Sequence, residues 1–210
     1  MTGFFDQHYV PSLSKPVMIV GLRGNTDLGY QCAKRLVKTL GAKRFAEYYS
    51  DWFPDLAFVD DSGLCRLPRW ILHESSSTIP NVVILSGVTG VASEDPEAHY
   101  STFNELTEFS KNLGVRFTYV LDGIIAGDGE ERRIQVAATS LELVRKAHRH
   151  GAQALKGVAL PAVPSLFLGL SRLHDQAAML IVGSLGEPRS DDATVETLLS
   201  FLRKVAGIKV

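Results

Sequence analysis

"VGLRGNTDLGYQCAKRL", residues 20–36, decides the fold. The apolar run Val17–Val20 ends in Gly21, two more glycines follow at Gly24 and Gly29, and a helical pattern then begins. Leu28, Cys32, Leu36 and Leu40 recur every four residues, which places them on one helix face. Gly41 then ends the helix. A buried strand, a glycine turn and an amphipathic helix form the opening unit of an α/β domain.

The turn admits two chemistries. Backbone N–H groups at the helix start, together with Arg23, can cradle an anion. The alternative is a tight turn with Asp27 as the helix cap. The glycine spacing matches neither the dinucleotide fingerprint nor the P-loop, which closes on Gly-Lys-Ser/Thr. Asp27-Leu28-Gly29 stands in that place, and a carboxylate at the helix start repels phosphate.

Outward from this unit the pattern repeats. Phe45–Tyr49 reads as a strand, and residues 56–74 read as antiparallel hairpin strands around Asp60-Asp61-Ser62-Gly63, broken at Pro68. Residues 81–87 form a buried strand. Asp95-Pro96-Glu97 starts a helix, with Tyr100, Phe103, Leu106 and Phe109 on its inner face and Gly114 at its end. Residues 115–123 and 133–139 are strands. Thr139 and Glu142 are spaced as a capping box for a helix running to His150. A short apolar helix over 164–173 and a strand over 177–183 follow. Ser190 and Asp191 open a last helix with Val195, Leu198, Leu199, Leu202 and Val205 inward. The alternation predicts an α/β domain over 16–210 with a mostly parallel mixed sheet covered on both faces. The hairpin adds an antiparallel edge. Residues 1–15 read as an aromatic arm lying on the body or on a neighbouring subunit.

The 210 residues suit one domain, with 45% hydrophobic and 21% charged residues. The formal net charge of −1 argues against a dedicated nucleic-acid binder, which carries a basic excess. Two cysteines, Cys32 and Cys65, are too few and too far apart for a disulfide framework or a zinc site. Both read as buried thiols of a reducing compartment. No stretch reaches the length of a membrane span and the start lacks a secretion signal, so a cytoplasmic location is expected.

In an open α/β sheet ligands bind beyond the carboxyl ends of the strands. That rule alone selects Gly21, Arg23, Gly24, Asn25 and Thr26 after the first core strand, Ser86 and Thr89 after the next, Asp122, and then Ser184 with Glu187 close behind. Glu94, Asp95, Glu97 and His99 fit a helix start, and His148 and His150 face different directions, so no metal site and no cofactor is expected. The charged turn at 128–133 reads as solvated surface or as an interaction knob. No nucleophile elbow occurs.

Several segments resemble the proteasome assembly chaperone 2 family, including its archaeal and bacterial members. "KPVMIVGLRGNTDLGYQCAKRLVKTLGAKRFAEYYS" is similar to that family's first strand, glycine loop, helix and second strand. "GLCRLPRWIL" is similar to its hairpin, "QVAATSLELV" to its strand-to-helix segment, and "SLFLGLSRL" and "IVGSLGEP" to its late helix and last core strand. The resemblance implies a three-layer α/β/α fold of the purine nucleoside phosphorylase type. It also implies a non-enzymatic protein, homo-oligomeric or paired with a related chaperone, that guides proteasome α-subunits into rings. The sequence departs from the family loop at Arg23, Thr26 and Asp27, where proline, glycine and asparagine are usual, and Ser165 stands where a glycine often opens the late helix. Some members end in a hydrophobic-Tyr-any triplet that docks between α-subunits; here the positions are Ile208, Lys209 and Val210, so the tyrosine is missing. Phe4, Phe5 and Tyr9 are apolar for a free terminus and, with the tail, are the expected partner contacts of a homo-oligomer of two to five chains. The alternative function is a nucleoside- or phosphate-binding enzyme of the phosphorylase or hydrolase type, with an anion held by Arg23 and the loop amides.

Overall fold

A computed structural model describes residues 3–126, 133–159 and 163–209. In chain order the elements are β1 (Gly3–Gln7), β2 (Val17–Leu22), α1 (Leu28–Thr39), β3 (Lys43–Ser50), β4 (Phe58–Val59), β5 (Cys65–Arg66), β6 (Trp70–Ser75), β7 (Val82–Gly87) and α2 (Pro96–Asn112). There follow β8 (Phe117–Ile125), β9 (Ile134–Ala138), α3 (Leu141–Arg149), β10 (Gln153–Ala154), α4 (Val163–Leu173), β11 (Ala177–Leu185) and α5 (Asp192–Ala206). Nine strands make one mixed sheet in the order β1-β3-β6-β7-β2-β8-β11-β9-β10. Its centre, β7-β2-β8-β11, is parallel, while β6, β3 and β1 on one side and β9 on the other join antiparallel.

The period-2 alternation of the core strands splits the interior into two layers. Val17 and Ile19 of β2, Ile84 of β7, Leu121 of β8 and Ile181 of β11 face α1, α3 and α5. Met18 and Val20, Leu85, Val120 and Leu180 face Phe103 and Leu106 of α2 and Phe167 and Leu170 of α4. The result is an α/β/α arrangement in which both faces of the central strands are buried. On the α2 side Tyr48, Phe53, Trp70, Phe103 and Phe167 form a continuous aromatic chain with ring centroids 4.9–6.0 Å apart. Edge-on and tilted pairs of this kind add to the stabilisation from buried area.

The arm residues Gly3–Gln7 pair with Ala46–Ser50 and form the edge strand of the sheet. Phe5 stacks on Phe109 at 3.9 Å. A short aromatic segment with no period of its own becomes a strand because β3 offers it a ladder.

Four local expectations are corrected. Tyr100 is 48% exposed, because the inner stripe of α2 runs through Thr102, Phe103 and Leu106. The cap of α3 is Ser140, whose hydroxyl accepts from Leu143 N at 3.4 Å; Thr139 instead ties β9 to Ala178 of β11. Cys65 is exposed and only Cys32 is buried. Both flanks of the small hairpin face solvent, so an apolar neighbourhood in sequence does not bury the thiol. Only residues 65–66 of the proposed broad hairpin pair with β4; β6 leaves it to join the main sheet between β3 and β7.

Candidate functional site

The carboxyl ends of β2, β7, β8 and β11 lie together, as their registers require: Gly21 faces Ser86 across one ladder and Asp122 faces Val182 across another. The loop after β2 lies against the sheet. Arg23 N donates to Gly87 O at 3.0 Å and Gly24 N to Thr26 O at 3.2 Å. Thr26 is 2% exposed, and its hydroxyl accepts from Leu28 N at 3.4 Å above Gly123.

The glycines serve packing. A Cβ on Gly29 would collide with the Leu121 carbonyl oxygen, and one on Gly21 would collide with the Gly29 carbonyl and the Ala33 methyl. The first turn of α1 therefore sits directly on β2 and β8, and only glycine permits that approach.

Asp27 does not cap its own helix with its side chain, contrary to expectation. Its carboxylate accepts from Ser190 N at 2.7 Å, Ser190 Oγ at 2.8 Å and Gln31 Nε2 at 3.2 Å. Burial pushes the Asp27 carboxyl upward, but the Ser190 and Gln31 hydrogen bonds and the nearby Arg23 outweigh it and hold the group below the usual aspartate value. The charge locks the loop after β2 to the entrance of α5.

A cavity of about 350 Å³ opens at this edge, lined by Arg23, Asn25, Thr26 and Asp27 of the loop, Tyr30 and Gln31 of α1, and Pro188 and Arg189 after β11. Of the residues selected from sequence, Arg23, Asn25 and Thr26 meet here. Gly21 and Gly24 belong to the turn beneath. Ser86, Thr89, Asp122 and Ser184 are buried below the rim. Thr89 O accepts from Trp70 Nε1 at 2.7 Å, so the segment after β7 closes over the indole. Ser184 lines a separate cavity of about 70 Å³ against α5, and Glu187 is exposed outside both. Tyr30, Gln31 and Arg189 were missed; Arg189, two residues past Glu187 on the same edge, was findable by the same strand-end rule.

Asp122, near the end of β8, is perturbed in the sense opposite to Asp27. Burial pushes it up to about 6, against the pull of Gly123 N, which donates to its carboxylate at 2.8 Å. No cluster among the described residues could hold a metal ion.

The partner candidates divide. Phe4 is 53% exposed and stacks on Tyr49 at 5.1 Å. Tyr9 is partly exposed and donates its hydroxyl to Glu74 Oε1 at 3.1 Å. Ile208 is only 6% exposed and packs into the α1/α5 core, which corrects its place among the partner contacts. Lys209 N donates to Ile79 O at 3.2 Å, so this end of the chain is bridged to the body. Val210 and all of the charged turn except Arg133 lie outside the described residues. No helix among the described residues is long and apolar enough to cross a membrane.

Comparison with solved structures gives close superpositions over the whole length. PbaB from Pyrococcus furiosus, an archaeal proteasome activator, matches with a TM-score of 0.90 at 22% identity, covering 100% of this chain and 91% of that one. PbaA from the same organism, an archaeal homologue of proteasome-assembly chaperone, matches with 0.83 at 16% identity, covering 100% and 84%. A PAC2 family protein from Streptomyces avermitilis matches with 0.75 at 16% identity, covering 93% and 87%. Comparison with curated proteins gives no match. The family model described as "PAC2 family" matches residues 18–210, and the chain belongs to the PAC2 family.

Proposed function

We propose that this chain is a proteasome-assembly-chaperone-like protein that acts through protein–protein surfaces, without catalysis, as an oligomer of itself in the cytoplasm, with proteasome α-subunits as partners. The observation that carries the reading is the family match over residues 18–210 together with the full-length superposition on PbaB and PbaA. The chemistry of the strand-end cavity supports it. Arg23 N and Gly24 N, two of the loop amides that would have to hold an anion, already donate to Gly87 O and Thr26 O, the Asp27 carboxylate lines the same cavity, and no base stands beside a nucleophile there. Exposed apolar side chains elsewhere supply the surface that a chaperone role needs.

Purified chain mixed with purified α-subunits of its own organism tests this by native mass spectrometry and by the rate of ring formation. A defined complex, or a changed rate of ring formation, is the expected result. Absence of both overturns the partner assignment. Turnover of nucleosides that is lost in Arg23→Ala overturns the non-catalytic assignment.

A further inference from the structure

Two cavities meet along α1 and share Gln31. The first is the strand-end cavity of about 350 Å³, with Arg23 and Arg189 in its wall. The second, of about 230 Å³, has Lys34, Arg35 and Lys38 of α1 against Asp192 of α5. Lys34 and Lys38 are exposed and stand one helical turn apart. Five cations therefore border one edge of a chain whose formal net charge is −1.

The acids of this edge are engaged inside the chain. Asp27 accepts from Ser190 and Gln31, Asp192 pairs with Arg35, and Glu196, one turn further along α5, pairs with Arg203 at 3.5 Å. Four of the five cations are not engaged. The side chains of Arg23, Arg189, Lys34 and Lys38 form no hydrogen bond or ion pair among the described residues, and Arg23 lies near Asp27 without bonding to it. The loop amides at Arg23 and Gly24 serve the fold, whereas the guanidinium groups beside them are free. Unpaired cations in concave surface concentrate anions there.

We propose that this edge binds an extended acidic segment of a partner protein, with one carboxylate between Arg23 and Arg189 and a second between Lys34 and Lys38. The inference rests on the reading that the chain acts through protein surfaces, and not on which protein it meets. The first cavity is bordered by Asp27, Tyr30 and Gln31 at the start of α1, and the lysine pair is centred on Leu36. About seven residues of helix, or ~10 Å, separate the two cation pairs. A segment in the polyproline II conformation returns the same face every third residue, ~9 Å further on, so acids three positions apart reach both pairs. A nucleic-acid strand spaces its charges far more closely, and Asp27 and Asp192 interrupt the basic track that it needs.

The full chain titrated into a rhodamine-labelled peptide of Glu-Pro-Pro repeats tests this by fluorescence anisotropy. The expected result is binding at low salt that weakens as salt is added and is lost when glutamine replaces every glutamate. Arg23→Ala with Arg189→Ala, and Lys34→Ala with Lys38→Ala, should each weaken binding about fivefold or more. Arg145→Ala with Lys146→Ala, on α3, should leave it unchanged. No binding at low salt, equal binding of the glutamine peptide, or no loss in either charge variant overturns the inference. So does tighter binding of an oligothymidine of equal charge. The comparison of the two peptides on the wild-type chain stands alone if a variant does not fold. Binding of α-subunits, measured on the same preparations, separates the two proposals. α-Subunits bound without the acidic peptide remove this surface and keep the proteasome reading. The peptide bound without α-subunits does the reverse.

Discussion

The loop between β2 and α1 and the hairpin between β4 and β5 are both short turns rich in Asp and Gly, yet they serve opposite ends. The first turns its polar groups inward. Asp27 holds Ser190, Thr26 receives Leu28 N, and Gly21 and Gly29 let α1 rest on the sheet. The second keeps its polar groups for itself and turns its apolar groups outward. Turn composition alone therefore does not tell a turn bonded into the body from an exposed projection. What separates them is where the carboxylate finds its donors.

The largest expected effect lies in the first loop. Gly29→Val forces β-branched bulk onto the Leu121 carbonyl and should cost about 3 kcal/mol or more, read as a lowered midpoint in urea unfolding. A midpoint equal to wild type would mean that the loop is no tighter than the hairpin. Asp27→Ala leaves Ser190 N and Oγ without their acceptor and should cost about 1–3 kcal/mol at neutral pH. Because the folded group titrates below the ordinary aspartate value, its contribution is complete above that value and is lost as pH falls through the lowered one. Acid unfolding of wild type and variant should therefore converge, whereas a constant gap down to low pH breaks the assignment.

Asp122 has the opposite sign. Its raised value means that the folded state binds the extra proton, so wild-type stability falls as pH rises from the ordinary aspartate value through about 6. Asp122→Asn should remove that slope, so that its stability relative to wild type rises by on the order of 3 kcal/mol between acid conditions and pH 8, as seen in paired melts. A parallel pH slope in both proteins would refute it. The smallest effect belongs to the hairpin. Phe58→Ser, measured on dilute monomer, should shift stability by no more than about 0.5 kcal/mol, since the ring touches no core. A larger loss would show that the projection supports its own chain.

The core strands and their helices were legible because burial on both faces writes a continuous apolar run, as in Val17–Val20 and Val82–Leu85, and because Asp95-Pro96-Glu97 and Gly207 mark helix ends locally. The strand-end rule placed Arg23, Asn25 and Thr26 at one edge. What escaped depends on distant neighbours. Asp27 reads as a helix cap, yet its partner Ser190 lies 163 residues away. Gly3–Gln7 is a strand only because β3 accepts it, and Ser86, Thr89, Asp122 and Ser184 are drawn under the rim by packing that spacing does not encode. Cys65 was misplaced because apolar neighbours in sequence imply a core only when another element covers them.

The strand order has a consequence for a chain emerging from the ribosome. β11 lies between β8 and β9, so these two, separated by few residues in sequence, pair with β11 rather than with each other, and both lack that partner until residues 177–185 have been made. Until then the flank of β8 that will receive β11 is an open edge, and the faces that α5 will cover remain wet. Sheets closed by such late, distant strands fold slowly and expose sticky edges on the way. A protein of this topology thus spends most of its own synthesis incomplete.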